Sequence, residues 1–481
     1  MAKGTVLGKW WVPERPDRRV SGSLATDDLF AQLSLIGDLQ SPSTDGSFAL
    51  HGSYEYDVVH GYEAAPFRKF TLFECSGTIT PNFSPSYFDT RQELTVNAAV
   101  LVGCHMDEFD ARTVSAARAQ IFGLDHWLGA GTYIDDLHRT VNEKSGATKW
   151  TAETRSADFG TITLVQGIGI RAIDTGSRDS SHTQDGTIFT VADNVAIELS
   201  YDAPTTISDS LEDVRIFLGL VTLFTGSTAW IQNRSILLEG QGDTPFELLE
   251  SGHRALDDPS LTDLKRQELL HSSEIDLQTV LPRWFQFNKD GGRDGVNVLQ
   301  AADYKEGQYV ETNFLNAMTA LDSLYLSLSK HHPTALPRKR PAQSDEIASK
   351  IGRARQVLAA DLHVALRSTA KRDLQLKEKI SALLEWVGPA QFAGVVPAEN
   401  QARWIEKAHA ARNDLTHLGS FRAHVDTSGL NALQLGIRWL LKLALLKHLG
   451  VADELLVRVG RSADGQAASY TFTHYLLPSL V

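Results

Sequence analysis

Three polar residues stand close together in the segment ARNDLTHLG, residues 411–419: Arg412, Asn413 and His417. A histidine gives or takes a proton near neutral pH. An arginine is a planar, permanently charged donor, which suits the negative charge that builds up on a phosphoryl group during its transfer. An asparagine can orient the histidine or a phosphate oxygen. The trio could therefore cleave RNA, with the 2′-hydroxyl as nucleophile and without a metal ion.

These residues are predicted to lie in the last turns of a helix over about residues 397–418. A proline opens this segment and a glycine follows it, as is typical of helix ends. Asn413 and His417 are four residues apart and share a face, which His409 extends by one turn, and the long side chain of Arg412 lies beside them. We expect the three polar groups to point at one small volume.

Two structural alternatives compete with this interpretation. A protonated histidine is favoured at a helix C-terminus, so His417 could simply cap the helix. A second pair with the same spacing, Arg266 and His271, lacks the asparagine and is predicted to lie on a solvated helix. Chance alone can place an arginine and a histidine five residues apart in a chain of this length.

Other chemical patterns in the sequence are weaker. HMDEFD, residues 105–110, could bind a metal ion, but no second cluster of ligands accompanies it. DGGRDG, residues 290–295, begins like a calcium loop, yet an alanine stands at the twelfth position where a glutamate is required. Glycine-rich phosphate loops of the GxxxxGK[ST] type and GxSxG nucleophile elbows do not occur in the sequence.

The first half of the chain has the pattern of a β-rich region. Up to about residue 240, short runs of β-branched and aromatic residues, such as FTLFECSGTI (70–79) and NVAIELSY (194–201), are bounded by turn-forming residues. This pattern predicts antiparallel sheets or a sandwich. Two segments of this region are predicted to be helical instead, ARTVSAARAQIFGL (111–124) and SDSLEDVRIFLGLVTLF (208–224).

From about residue 309 the apolar residues recur with the period of a helix. Helices are predicted at about residues 311–330, 344–368, 373–387, 397–418 and 429–449. Five helices in succession predict an α-helical bundle. The fold class is therefore α+β, with a β-rich region at residues 1–300 followed by an all-α region at residues 301–481.

The two regions differ in charge. Residues 301–481 contain 22 Lys and Arg against 17 Asp and Glu, whereas residues 1–300 contain 24 against 42. A polyanion such as RNA would be attracted by the C-terminal region and repelled by the N-terminal one. The alternative is that the acidic residues merely solvate the surface.

The location of the protein is predicted to be cytoplasmic. Only two cysteines occur, Cys75 and Cys104, and the first residues lack a basic stretch followed by an apolar run. The most apolar long segment, residues 430–450, contains three basic residues that a membrane span would tolerate poorly. We therefore interpret this segment as a core helix, not as a membrane segment.

Two stretches of the sequence resemble a known family. RNDLTH, in the fourth helix of a small bundle, resembles the signature of the HEPN superfamily, in which an arginine is followed four to six residues later by a histidine. The start of the chain, GKWWVPERPDRRVSGSLA, with FALHGSYEYD, FTLFECSGTI and FGLDHWLG after it, is similar to the N-terminal domain of ApeA-type proteins. Together the two stretches follow the order of that family over nearly the whole chain.

The resemblance implies a metal-independent HEPN endoribonuclease, without cofactor, that acts in anti-phage defence by abortive infection. It implies Arg412 and His417 as catalytic residues and Asn413 as a supporting one. The expected partners are an RNA substrate, for example tRNA or another cellular RNA, and a second copy of the chain, paired through the HEPN domain to form a composite site. The N-terminal region would sense a phage-derived trigger and regulate the nuclease.

Two other functions remain open from the sequence. The bundle could be a non-catalytic scaffold that binds RNA or protein and serves for dimerisation. The β-rich region could instead bind or process carbohydrate, given its tryptophans and many carboxylates. Cleavage of total RNA that depends on His417 would separate the nuclease from both alternatives.

Overall fold

A computed structural model describes most of the chain. The described residues are 4–26, 31–39, 53–65, 67–84, 87–129, 138–141, 148–151, 159–175, 177–183, 186–192, 195–250, 269–304, 309–338, 374–417 and 425–479. The chain divides into two compact units, one of Met1–Leu218 and Ala229–Leu261, the other of Gly219–Thr228 and Thr262–Val481. The second unit thus includes residues 262–300, which the sequence analysis placed in the β-rich region.

Six strands of the first unit form a closed antiparallel barrel. They are β1 (Gly4–Trp11), β2 (Val20–Thr26), β3 (Ala31–Ile36), β4 (Ser53–Glu63), β5 (Lys69–Ser84) and β6 (Tyr87–Val102). The order around the barrel is β1, β2, β3, β6, β5, β4 and back to β1. The predicted antiparallel, β-rich region is confirmed, and this part of its sheet closes on itself.

One cluster of apolar side chains fills the barrel, because alternate residues of each strand point inward. Its members are Val6, Trp10, Val12, Leu24, Ala31, Leu33, Leu35, Leu39, Val59, Phe70, Leu72, Cys75, Leu94, Val96, Val100 and Val102. The completely buried ring of Trp10 lies directly against Gly61 of β4. A Cβ atom at Gly61 would collide with that ring, so this position requires glycine.

The remaining strands of the large sheet extend it outward from β6. In order from β6 they are β16 (Phe246–Glu250), β15 (Ile231–Leu238), β7 (Val114–Ile121), β14 (Val195–Thr205), β11 (Ile168–Asp174) and β10 (Ile162–Thr163). One edge of β6 is shared: residues 91–96 pair with β3, and residues 99–102 pair with β16. Two separate hairpins are formed by β8 (His138–Val141) with β9 (Thr148–Thr151), and by β12 (Ser177–Thr183) with β13 (Gly186–Ala192).

The helix predicted at residues 111–124 is wrong, because most of this segment forms β7. β7 lies between β14 and β15 and pairs with both of them. Pairing on both sides satisfies its backbone groups and overrides the helical preference of its alanines. Only the short helix α1 (Leu124–Trp127) follows it, whereas the helix predicted at residues 208–224 is confirmed as α2 (Ile207–Thr225).

The second unit is helical. Besides the end of α2, its helices within the described ranges are α3 (Leu277–Phe287), α4 (Arg293–Tyr304), α5 (Val310–His331), α6 (Leu376–Val387), α7 (Pro389–Phe392), α8 (Gln401–His417), α9 (Thr427–His448), α10 (Asp453–Gly460) and α11 (Ala463–Thr471). Four of the five predicted helices are thereby confirmed, as α5, α6, α8 and α9. The helix predicted at residues 344–368 lies outside the described residues.

Short helical turns link these helices. Turns of 3-10 type span Ser272–Glu274, Ala398–Asn400 and Leu477–Ser479, and π-type turns span Asn288–Gly292 and Phe472–Leu476. The segment from residue 463 to 479 is therefore continuously helical.

α9 forms the centre of this unit. Most of its side chains are buried, and it packs against α5, α6, α8 and the helical segment that follows residue 462. Gly436 allows α8 to come close, because a Cβ atom there would lie only 2.8 Å from the indole nitrogen of Trp404. Although α9 is strongly apolar, no helix in the described ranges has the length and hydropathy to cross a membrane.

Candidate active site

α8 carries the three residues of the predicted site and is anchored by its apolar face. Trp404, Ala408 and Ala411 are completely buried, and their spacing of four and three residues places them along one stripe. This stripe faces α9, where the ring of Trp404 lies against Gly436. The polar residues of the helix are consequently left on its flank and on its outer face.

Arg412 lies beside the buried stripe, at the end of α8. Its carbonyl oxygen accepts a hydrogen bond of 2.9 Å from the hydroxyl of Thr416, which ties the last turn together. Its side chain is half-buried. Within the described residues, the guanidinium group has no hydrogen-bond or ion-pair partner. A guanidinium group carries five donors, and none of those of Arg412 is used within the described residues.

Asn413 lies on the polar face and contacts His409. The amide nitrogen Nδ2 of Asn413 is 3.3 Å from Nε2 of His409, one turn earlier in the helix. An amide nitrogen can only donate, so Nε2 of His409 is the acceptor and the ring carries its proton on Nδ1. The contact fixes the direction of the Asn413 amide, whose side-chain oxygen Oδ1 has no hydrogen-bond partner among the described residues.

His417 is the last residue of α8. Its backbone continues the helix, while its side chain lies outside the described part of the protein. His417 follows Asn413 by four residues, so both positions share a face. It follows Arg412 by five residues, which separates these two positions by about 140° around the helix axis. The expectation that all three polar groups point at one small volume stays a prediction.

The alternative histidine, His271, caps a short helical turn. Its Nδ1 accepts a hydrogen bond of 3.2 Å from the backbone nitrogen of Ser273, and its own backbone nitrogen donates to the Glu274 carboxylate at 2.9 Å. These two bonds form a capping box at the start of Ser272–Glu274. Arg266, the other member of the alternative pair, lies outside the described residues.

The HMDEFD segment is held by structural contacts. Nε2 of His105 donates to the carbonyl oxygen of Gly61 at 2.9 Å, and its ring stacks on that of His60 with 4.5 Å between centroids. Burial lowers the pKa of His105. In the described ranges, no group of three or more His, Cys, Asp and Glu side chains is placed to hold a metal ion.

The DGGRDG segment does not form a calcium loop. Its first residues belong to the π-type turn Asn288–Gly292, which runs directly into α4. Gly291 adopts a φ of 97°, a left-handed conformation that favours glycine and produces a kink between α3 and α4. Gly291, one of the three glycines of the segment, therefore serves the conformation of the backbone.

A partly buried histidine cluster was not predicted from the sequence. It consists of His331 and His332 at the end of α5 and His448 at the end of α9. Nε2 of His332 lies 2.9 Å from Nδ1 of His448, and the rings of His331 and His448 are 5.0 Å apart. Burial, followed by the charges of the other two histidines, lowers the pKa of His448 to about 3. The adjacent histidines at 331 and 332 were the only signal in the sequence.

Two family models match the chain. The model described as ApeA N-terminal domain 1 matches residues 5–284, and the model described as Apea-like HEPN matches residues 315–455. The second match contains the whole of α8 with its three polar residues. No curated protein and no solved structure matches the chain.

Proposed function

Since this chain belongs to the ApeA family and carries a C-terminal HEPN domain, we propose that it is a metal-independent endoribonuclease of anti-phage defence with Arg412, Asn413 and His417 as its catalytic residues. Its RNA cleavage would stop the growth of an infected cell, which is abortive infection. The family match supports a nuclease activity, and the chemistry of Arg412, Asn413 and His417 supports cleavage by the 2′-hydroxyl.

The proposed reaction is an attack within the RNA strand. The 2′-hydroxyl loses its proton to a base and its oxygen bonds to the adjacent phosphorus. The bond from phosphorus to the 5′-oxygen of the next nucleotide breaks, and that oxygen gains a proton from an acid. The products are a 2′,3′-cyclic phosphate and a free 5′-hydroxyl. The two proton transfers require a base and an acid that work near neutral pH.

Each residue of the trio suits one part of this reaction. Histidine can act as the base or as the acid, and we assign this role to His417. The guanidinium group of Arg412 would neutralise the charge that develops on the non-bridging phosphate oxygens. Asn413, whose amide is already oriented by His409, would hold a phosphate oxygen or the catalytic histidine.

The proposal rests on the position of Arg412 and on the lack of a partner for its guanidinium group among the described residues. Its backbone is fixed at the end of a helix whose apolar stripe is completely buried, and its guanidinium group has no partner among the described residues. An arginine with a purely structural role normally pairs with a carboxylate or with backbone carbonyls. An arginine that is half-buried at the end of an anchored helix and lacks a partner among the described residues suits a phosphate ligand.

We propose that the active form is a homodimer through the HEPN domain. One chain offers one arginine and one histidine of the motif, at positions about 140° apart around α8. The reaction can use both a base and an acid in addition to charge stabilisation. Two-fold pairing of the motif would supply two copies of each residue to one composite site.

The N-terminal region is proposed to regulate this activity. With 42 acidic against 24 basic residues, residues 1–300 would lower the affinity of the protein for non-specific RNA. A phage-derived trigger that binds the active state more tightly than the resting state would then release the nuclease.

Incubation of the purified full-length protein with total RNA tests the proposed function. We expect Arg412→Ala and His417→Ala each to reduce the cleavage rate by about a hundredfold or more, and Asn413→Ala to reduce it partially. His271→Ala is the matched control, because it removes a histidine from a capping box and should leave cleavage intact. Equal cleavage by the parent protein and by both site variants would overturn the assignment, and RNA binding without cleavage by the parent would identify a scaffold.

A further inference from the structure

The second unit contains a cavity of about 590 Å³, which is within the size range of pockets that bind small molecules. One wall consists of residues 269–271 and Glu274. The other wall consists of α10 and the residues that follow it, up to Ala463. α8 contributes none of the lining residues that the structure describes, so the cavity is separate from the proposed catalytic trio. We call it the α10 cavity.

An ion pair joins the two walls of the α10 cavity. Nη1 and Nη2 of Arg458 on α10 donate to the two carboxylate oxygens of Glu274, with 2.6 Å between Nη2 and Oε2. These hydrogen bonds lower the pKa of the Glu274 carboxyl group, so both side chains are charged and their charges offset each other. The pair holds the walls together and leaves the charge preference of the cavity to its other side chains.

Two further charged side chains line the cavity. Glu454 lies in the first turn of α10 and Arg461 directly follows the last one, and neither side chain has a hydrogen-bond or ion-pair partner among the described residues. The backbone nitrogen of Arg461 donates to the carbonyl oxygen of Val457 at 3.2 Å, so the helical pattern continues to this residue. Seven residues of a helix return to nearly the same face. The cavity thus has an acidic and a basic residue on one face, about 10 Å apart along the axis.

Apolar side chains line the middle of the cavity. Val457 is three residues after Glu454 and four before Arg461, so it lies between them on the same face of the helix. Leu269 lines the cavity from the other wall. The space between the acidic and the basic residue is therefore bounded by apolar surface, which suits the face of a planar ring.

This order of basic, apolar and acidic surface matches the parts of a guanine nucleotide. A guanidinium group binds phosphate through paired, charge-assisted hydrogen bonds. A carboxylate only accepts hydrogen bonds and has two oxygens side by side. Guanine presents two adjacent donors on one edge, N1–H and the N2 amino group, which fit these two oxygens. Adenine has a single amino group on the same edge and fits them less well.

We propose that the α10 cavity binds a guanosine 5′-monophosphate, with its phosphate at Arg461, its base against Val457 and Leu269, and the N1 and N2 donors of the base at Glu454. This ligand site goes beyond the proposed RNA cleavage, because a mononucleotide has no internal phosphodiester bond to cut.

Isothermal titration calorimetry of the full-length protein with GMP tests this site. The Arg412→Ala background is used, so that the proposed catalytic trio does not hold the phosphate. Arg461→Ala is expected to weaken GMP binding by about tenfold or more, the effect of a lost charge-assisted hydrogen bond. Guanosine lacks the phosphate and should bind weakly, with the same affinity in both proteins. Glu454→Gln should weaken GMP binding by about tenfold and change AMP binding little, because the amide keeps only one acceptor.

Arg91→Ala is the control, because it removes an arginine side chain that is 65% exposed in the first unit and should leave GMP binding unchanged. Absence of GMP binding, or equal GMP affinity with and without Arg461→Ala and Glu454→Gln, would overturn the proposal. Inorganic phosphate that binds as tightly as GMP would also overturn it, because the cavity would then recognise an anion without the base. GMP binding is measured without RNA, so a failure of the proposed nuclease function would leave these outcomes unchanged.

Discussion

The amide nitrogen of Asn413 lies 3.3 Å from Nε2 of His409, so one residue of the proposed catalytic trio is held by a histidine outside the trio. The contact joins two positions one turn apart on the polar face of α8. It requires the proton of His409 to be on Nδ1, and it directs the Asn413 carbonyl oxygen away from His409. His409 is thus placed to orient Asn413, and if Asn413 acts in cleavage as proposed, His409 contributes only by orienting it.

Replacement of His409 by alanine is expected to lower the single-turnover cleavage rate by roughly two- to tenfold, which corresponds to one neutral hydrogen bond. The effect should act through Asn413, so the double variant His409→Ala, Asn413→Ala should cleave no more slowly than Asn413→Ala alone. Cleavage rates of the parent, the two single variants and the double variant on the same RNA give the coupling energy between His409 and Asn413. Additive losses from the two substitutions would show that His409 acts independently of Asn413.

The composite site predicts complementation between inactive chains. Arg412→Ala and His417→Ala homodimers should both be inactive, whereas a heterodimer of the two retains one arginine and one histidine at the shared site. We expect co-expressed chains with different tags, purified through both tags, to recover part of the cleavage rate. A parent protein that is fully active as a monomer in light scattering would contradict the shared site.

The proposed chemistry depends on the 2′-hydroxyl of the substrate. Cleavage is expected to continue in EDTA and to leave a 2′,3′-cyclic phosphate or 3′-phosphate and a free 5′-hydroxyl, which phosphatase and kinase labelling of the products can identify. DNA of the same sequence and RNA with a 2′-O-methyl group at the cut site should resist cleavage, because the nucleophile is absent or blocked. Products with 5′-phosphates that require a divalent ion would exclude this mechanism.

Much of the helical unit follows from local sequence. The helices α5, α6, α8 and α9 show a clear apolar period, so their existence could be predicted. The Arg412–His417 motif is contiguous in the sequence, so its residue chemistry and its resemblance to the HEPN signature could be recognised without the fold, and its catalytic role stays a prediction. Barrel closure could not be predicted, because it joins β1 to β4 and β3 to β6 across long separations in the chain. The helical preference of residues 111–124 was misleading because pairing with two neighbouring strands decides their conformation.

The stability of the helical unit should depend on pH through His448. Because its pKa in the folded protein is about 3, below that of an unfolded histidine, the neutral ring stabilises the fold. This contribution is present above about pH 6.5 and decreases as the pH falls toward 3. Roughly 1 kcal/mol of unfolding free energy should be lost between pH 6.5 and pH 5.5. Urea unfolding at several pH values measures how steeply the unfolding free energy changes with pH. The His448→Gln variant should show a weaker pH dependence. The same pH dependence in this variant would show that other groups cause it.

The regulatory role of the N-terminal region can be tested with a fragment that joins residues 219–228 by a flexible linker to residues 262–481, since these two segments form the second unit. The boundary at residue 262 keeps α3, whose residues Trp284 and Phe287 are completely buried in the helical unit, whereas a fragment from 301 would lose them. This fragment is expected to cleave bulk RNA faster than the full chain, with a difference that shrinks as salt screens the acidic region. A soluble, dimeric and inactive fragment would show that the first unit activates the nuclease.

The shared edge of β6 has a consequence for the synthesis of the protein. Residues 91–96 pair with β3, which emerges from the ribosome before them, but residues 99–102 pair with β16, whose residues 246–250 follow about 150 positions later. At a translation rate of roughly 5–20 residues per second, β16 is synthesised about 7–30 s after residues 99–102, and this apolar edge stays unpaired until then. An unpaired strand edge is a template for pairing with other chains. The nascent chain is therefore exposed to aggregation during this interval, and shielding by a chaperone would raise the yield of folded protein.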